Sequence, residues 1–171
     1  DHYSTGTYYF IDVHLVLNGD ILNLIQLDVD GVYTHLLDED HICSMVEDII
    51  KGHPVFFQNL RKFLSRPNKK LTYVIGNHDF GMVFDKAQAL FSKACGEEVF
   101  FTDQLVSNGV LVEHGHRFEA INNVPKSKTF IPGPNDKKIL NHSLTISILF
   151  YLDCFIISAT VEALSTDNPS C

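Results

Sequence analysis

Three apolar runs of this chain stop abruptly in glycine-bearing polar clusters, and that repeated ending constrains the fold more than any other feature. Leu71 to Ile75 gives way at once to Gly76-Asn77-His78-Asp79; Val13 to Leu17 to Asn18-Gly19-Asp20; and Val110 to Val112 to Glu113-His114-Gly115-His116. Short apolar runs bounded by turn residues read as buried strands. Open α/β sheets place their chemistry just beyond the carboxyl ends of such strands. The sequence therefore predicts an α/β fold in which Asp20, Asn77, His78, Asp79, His114 and His116 are delivered to one rim.

The segments between these endings supply the remaining elements. Val13 to Leu17 is nearly continuous in apolarity, which suits a central strand covered on both faces. Ile21 to Leu27 reads as a helix or an irregular segment under the rim, and the acidic stretch Asp28 to Asp40 as a solvent-facing loop. Asp28-Val29-Asp30-Gly31 lacks the further ligand positions of a calcium loop. Asp40 is placed to cap a helix whose stripe is Ile42, Met45, Val46, Ile49 and Ile50, stopped by Gly52. Pro54 opens a second helix, with Val55, Phe56, Leu60, Phe63 and Leu64 as its stripe. The basic cluster Arg61, Lys62, Arg66, Lys69 and Lys70 reads as a solvated helix end in preference to an anion attractor. Phe84 to Ala94 reads as a third helix closed by Gly96, followed by a short strand at Val99 to Phe101. Ser107-Asn108-Gly109 signals a hairpin or a neighbouring strand pair. The Pro-rich stretch from Asn122 to Asp136 reads as a long loop or insertion. Leu144 to Leu164 approaches the ~20 residues that span a bilayer. Asp153 and Glu162 within it favour buried helix or strand over membrane contact.

The totals narrow the classes. A chain of 171 residues fits one domain with a real core. A formal charge of −8 argues against a general nucleic-acid binder, because phosphate contact needs Lys and Arg. It leaves a phosphate-containing substrate open, since bound metal ions supply positive charge locally. Of nine histidines, His2, His35, His53 and His142 lack a partner pattern and read as surface or core residues. The four cysteines form no C-x-x-C pair, and no signal peptide is evident, so a reduced, cytoplasmic setting is expected.

Hydrolysis of a phosphate ester needs a nucleophile at neutral pH and neutralisation of charge on the phosphoryl oxygens. Two divalent ions ~3.5–4 Å apart do both. Asp20 is suited to bridging them, and Asn77 and His114 to terminal ligation, a mixed O/N set that fits Mn, Fe or Zn. His78 is more useful beside the ions, protonating the leaving alkoxide, with Asp79 orienting its ring. Taken singly, each residue also has a plainer role: Asp20 as a helix cap, Asn77 and Asp79 as turn formers, His114 as a loop residue.

The Gly19-Asp20 and Gly76-Asn77-His78-Asp79 motifs, about 57 residues apart, resemble the G-D and G-N-H-D blocks of the calcineurin-like metallophosphoesterase superfamily. Glu113-His114-Gly115-His116 resembles its later histidine block, most of all in the branch of UDP-diacylglucosamine pyrophosphohydrolase-like enzymes. The resemblance covers roughly Val13 to Glu119. It implies a sandwich of two mixed β-sheets flanked by helices, and two divalent metal ions bridged by Asp20. It also implies Asn77 and His114 on the second ion, His78 as the catalytic histidine, and His116 as a ligand or a residue just behind one.

The chain departs from that pattern in places. Members open with a D-x-H block, and Asp12-Val13-His14 has those letters. Only five residues separate His14 from Asp20, however, too few for the crossover that parallel neighbours require. Asp12 and His14 are therefore expected inside the strand that leads to Asp20. The last block, G-H-x-H, has no match after His116, and the position closing the G-D block, where an acid is common, is Asn23. The expectation is a single partial domain over residues 1–171, with 122–171 a poorly matched tail, forming an internal piece of a longer family member with some exposed apolar sheet edge. Its function is read as metal-dependent phosphoesterase or pyrophosphohydrolase. The alternatives are a non-catalytic relative retaining at most one metal subsite and, weaker, a membrane-attached module.

Overall fold

A computed structural model describes residues 5–28 and 34–148. Its centre is a parallel three-stranded sheet of β1 (Val13–Asn18), β2 (Lys69–Val74) and β3 (Phe100–Thr102), in the order β1-β2-β3. The register pairs Asn18 with Val74 and Val74 with Thr102, so the carboxyl ends of all three strands are level. The fold is mixed α/β, as the strand endings predicted.

The two crossovers carry the helices. Between β1 and β2 run α1 (Glu39–Gly52) and α2 (Pro54–Leu64); between β2 and β3 runs α3 (Asp85–Cys95). The cap of α1 is Asp38 rather than Asp40, its carboxylate accepting from the His41 N–H. Ile42, Met45 and Val46 are buried as expected. In α2, Pro54 takes the opening position, but the buried face is Phe57, Leu60 and Leu64, while Val55 stands in solvent. α3 ends at Gly96 in the left-handed conformation, φ +77°. Phe57, Phe91, Tyr73 and Phe101 form a chain of edge-on and stacked rings from α2 through α3 to the sheet.

β2 is the buried centre of this sheet and β1, expected to be a central strand, lies at one of its edges. His14 lies inside β1, exposed, its Nε2 2.7 Å from the Thr72 hydroxyl. The basic cluster is also not simply solvated. Lys69 is buried and donates to four backbone carbonyls, of Tyr8, Tyr9, Ile11 and Pro67, at 2.9–3.1 Å. Arg61 donates to the Ala94 carbonyl at the end of α3.

Two antiparallel hairpins complete the described chain. β4 (Gln104–Ser107) and β5 (Val110–Glu113) turn at Asn108-Gly109, both at positive φ. This is the hairpin turn that Asn-Gly favours. Val106, Val110 and Leu111 leave apolar surface exposed here. β6 (Phe130–Pro132) forms within the stretch expected to be loop and pairs with β7 (Lys138–Leu140) just beyond it. Residues 144–148 are helical, with Ile146 buried; the rest of the apolar stretch, Asp153 and Glu162 included, lies outside the described residues. Among the described residues, no helix is long and apolar enough to cross a membrane.

Candidate functional site

Three backbone turns meet above the carboxyl ends of β1 and β2. The first is Gly19-Asp20 with its continuation to Asn23. Asp20 and Asn23 both adopt the left-handed conformation, φ 52° and 48°. Every non-glycine residue at positive φ in the described chain is Asn or Asp, the types that tolerate it. The second is Gly76 to Asp79. The third is the end of β5, where the Glu113 carbonyl accepts from the Asn18 amide at 3.3 Å and brings His114 over β1.

Asp20 is the hub. Its Oδ1 accepts the His78 backbone N–H at 2.9 Å, and its Oδ2 lies 3.1 Å from His114 Nε2. The glycines make this approach possible. A Cβ on Gly76 would fall 2.2 Å from Asp20 Oδ1, and one on Gly19 would fall 2.2 Å from His114 Nδ1. His114 Nδ1 is 3.2 Å from the Asn18 carbonyl, which can only accept, so this nitrogen carries the proton. The backbone on both sides of Asn77 thus touches the Asp20 carboxylate, and Asn77 lines a small cavity with His116, Asn122 and His142.

His78 and Asp79 part company. The His78 ring is held by Asn23: Nδ1 lies 2.9 Å from Asn23 Oδ1, and the Asn23 amide nitrogen donates to Gln26 at 2.7 Å, which fixes the oxygen toward the imidazole. His78 Nδ1 is therefore the donor, and Nε2 is the nitrogen left for chemistry. Asp79, expected to orient that ring, is fully buried beneath it in the fold. It accepts the Gly76 N–H at 2.7 Å, the Ile21 N–H at 2.9 Å and the Tyr73 hydroxyl. Burial, and then the Asp79 charge, push the Tyr73 phenol far above its ordinary range, so it stays a donor. Asp79 is thus a tie between the first two turns. The orienting residue that sequence reasoning missed is Asn23, and its signal was its place three residues after Asp20, where the G-D block commonly has an acid.

His116 stacks behind His114 with ring centroids 5.4 Å apart. Its Nδ1 is buried and has no hydrogen-bond partner among the described residues. Burial first, then the neighbouring His114 and Arg117, hold its imidazole below the usual histidine value. His142, set aside as featureless, belongs to the same neighbourhood. It is 3.1 Å from the His35 carbonyl, and burial depresses its pKa to about 4.

Asp12 and His14 stand at the amino end of β1, a strand length or ~20 Å from the rim. Among the described residues, no three His, Cys, Asp or Glu side chains are grouped so as to hold a metal ion. Asp20 and His114 form a pair. In comparisons with protein-family models, curated proteins and solved structures, no match to this chain was found.

Proposed function

We propose that this chain carries a metal-dependent phosphoester hydrolase site of the calcineurin-like metallophosphoesterase kind, on part of that superfamily's sandwich fold, with one divalent cation held by Asp20, Asn77 and His114. The carrying observation is the contact of Asp20 Oδ2 with His114 Nε2 at 3.1 Å. Because His114 Nδ1 is committed to a backbone carbonyl, Nε2 turns its lone pair toward the carboxylate. Two acceptors this close need a positive charge between them. A proton on Nε2 makes the pair a salt bridge. A divalent ion held by both donors would also supply that charge. An imidazole anchored by its other nitrogen to a carbonyl is the usual form of a ligating histidine.

The oxygen, amide and imidazole donors suit Mn, Fe or Zn, and a bound ion would acidify a water and polarise a phosphoryl oxygen. The chain's own residues do the rest. Asn23 holds His78 so that a protonated Nε2 can donate to a phosphoryl or leaving-group oxygen. Asp79 keeps the two turns in register. With Asp12 and His14 at the far end of β1, the donors fit one ion rather than two, and turnover should be slow. That arrangement also favours the second reading, a family member that binds an ion without turning over substrate.

One experiment separates the readings. Calorimetric titration with Zn2+ or Mn2+ should give a single site that is lost in Asp20→Asn. Hydrolysis of 4-nitrophenyl phosphate should be metal-dependent and fall ~10²-fold or more in His78→Ala. Ion binding without hydrolysis selects the second reading, and no ion binding overturns both.

A further inference from the structure

Beside the Asp20–His114 pair, a cleft of about 260 Å³ opens next to His116. Its apolar lining includes Phe80, Val83 and Phe130, and its polar lining His116, Arg117 and Lys126. Phe80 follows directly on the Asn77-His78-Asp79 turn, and His116 stacks on His114, so the cleft borders the rim from two of its three turns. Arg117 reaches Asp103 at 3.5 Å and Glu113 at 3.7 Å, and Lys126 pairs with Asp103. Asp103 and Glu113 together answer these two cations, so the lining is close to neutral and suits an uncharged group. His116 adds a buried nitrogen that no described residue satisfies. Buried polar atoms are rarely left that way, and a ligand group is one means of satisfying them.

The size decides the class. An apolar cavity of ~150 Å³ takes one benzene. A cleft of about 260 Å³ takes a single substituted ring or a two-ring base, and is too small for a long acyl chain or a polypeptide segment. Aromatic walls from Phe80 and Phe130 suit a flat, apolar group better than a sugar.

We propose that this cleft binds the aromatic leaving group of a small phosphoester whose phosphate sits at Asp20 and His114. The inference rests on the hydrolase reading for the position of the phosphate, but its test does not require turnover. Phenylphosphonate and methylphosphonate, neither of which can be hydrolysed at the P–C bond, are titrated by NMR against the protein with and without Zn2+. Phenylphosphonate should bind at least tenfold more tightly, and Phe130→Ala should bring the two within twofold. Val124→Trp, which fills the cleft from a half-buried wall position, should do the same and guards against a folding defect in the first variant. Equal binding, binding of neither, or a preference that survives both substitutions overturns the cleft. An aryl preference without hydrolysis of any aryl phosphate keeps the cleft and sinks the hydrolase. Hydrolysis without the preference does the reverse.

Discussion

Two carboxylates in the turns of the rim, Asp79 and Asp20, are used in opposite ways. Asp79 is sealed from solvent and saturated: two backbone N–H groups and a phenol surround it. Asp20 keeps about 30% of its side chain exposed and spends one oxygen on a backbone N–H and the other on a histidine. Asp38, at the start of α1, sits with Asp79. It caps the helix, binds the His41 ring at 2.6 Å and takes the Lys137 ammonium at 2.6 Å. A carboxylate whose lone pairs are all answered holds a fold together. One whose answer is a titratable imidazole in partial solvent is free to exchange that partner for a cation.

Removing Asp79 should therefore have the largest effect on stability. Asp79→Ala leaves the Gly76 and Ile21 N–H groups and the Tyr73 hydroxyl without partners in a dry interior. Each such orphan costs ~1–3 kcal/mol, so a total loss above ~3 kcal/mol is expected by urea denaturation. Retention of wild-type stability would show that the tie is not made.

The acid limb of stability should resolve the saturated carboxylate of Asp38 from its surroundings. Burial depresses His142 to about 4, below its ordinary 6.5, so the unfolded chain takes up that proton first. Its contribution is complete above pH 6.5 and is lost as pH falls toward 4, at up to ~1.4 kcal/mol per unit. Burial raises the Asp38 carboxyl, but Lys137 and the His41 backbone and ring outweigh it, and the net shift is well below the usual carboxylate range. Its contribution is present above that range and lost only as pH falls below about 4. Thermal melts between pH 7 and 2 should show two successive losses. His142→Gln should flatten the upper one, and Asp38→Asn should remove ~1 kcal/mol from the lower one while keeping the cap. A single loss, unaffected by either substitution, would place Asp38 with Asp20 rather than with Asp79.

The three turns that build the rim were legible because each is a local event: an apolar run, then glycine, then a ligand-type residue. The helices were legible from their stripes, and the β4–β5 hairpin from Asn108-Gly109. What escaped was set by partners distant in sequence. The β1 and β2 runs look alike, and only pairing with β3 makes β2 the centre. Adjacency suggested that Asp79 serves His78, but the chain reverses there and turns Asp79 down toward Tyr73, while Asn23, fifty-five positions away, takes the ring. Asp38 won the cap from Asp40 because it is the last extended residue before α1, φ −92° and ψ 179°. Prolines and glycine between Asn122 and Asp136 hid β6, whose turn into β7 uses positive φ at Asn135 and Asp136.

Asp20→Asn should have the smallest effect on the fold and the most specific effect on binding. Asparagine tolerates the φ of 52° and still offers an oxygen to the His78 N–H, so only the pairing with His114 is lost. Both side chains are partly in solvent, and such pairs are worth ~0–1 kcal/mol. Without added metal, the melting temperatures of the variant and the wild type should differ little. With Zn2+ at ~100 times its dissociation constant, a protein that binds one ion gains ~2.7 kcal/mol. The wild type should show that gain and Asp20→Asn should not. If the substitution unfolds the protein as Asp79→Ala is expected to, the two carboxylates do the same work and the contrast between them fails. If Zn2+ stabilises both proteins equally, Asp20 is a structural turn residue, and the open partner at the rim is not an ion.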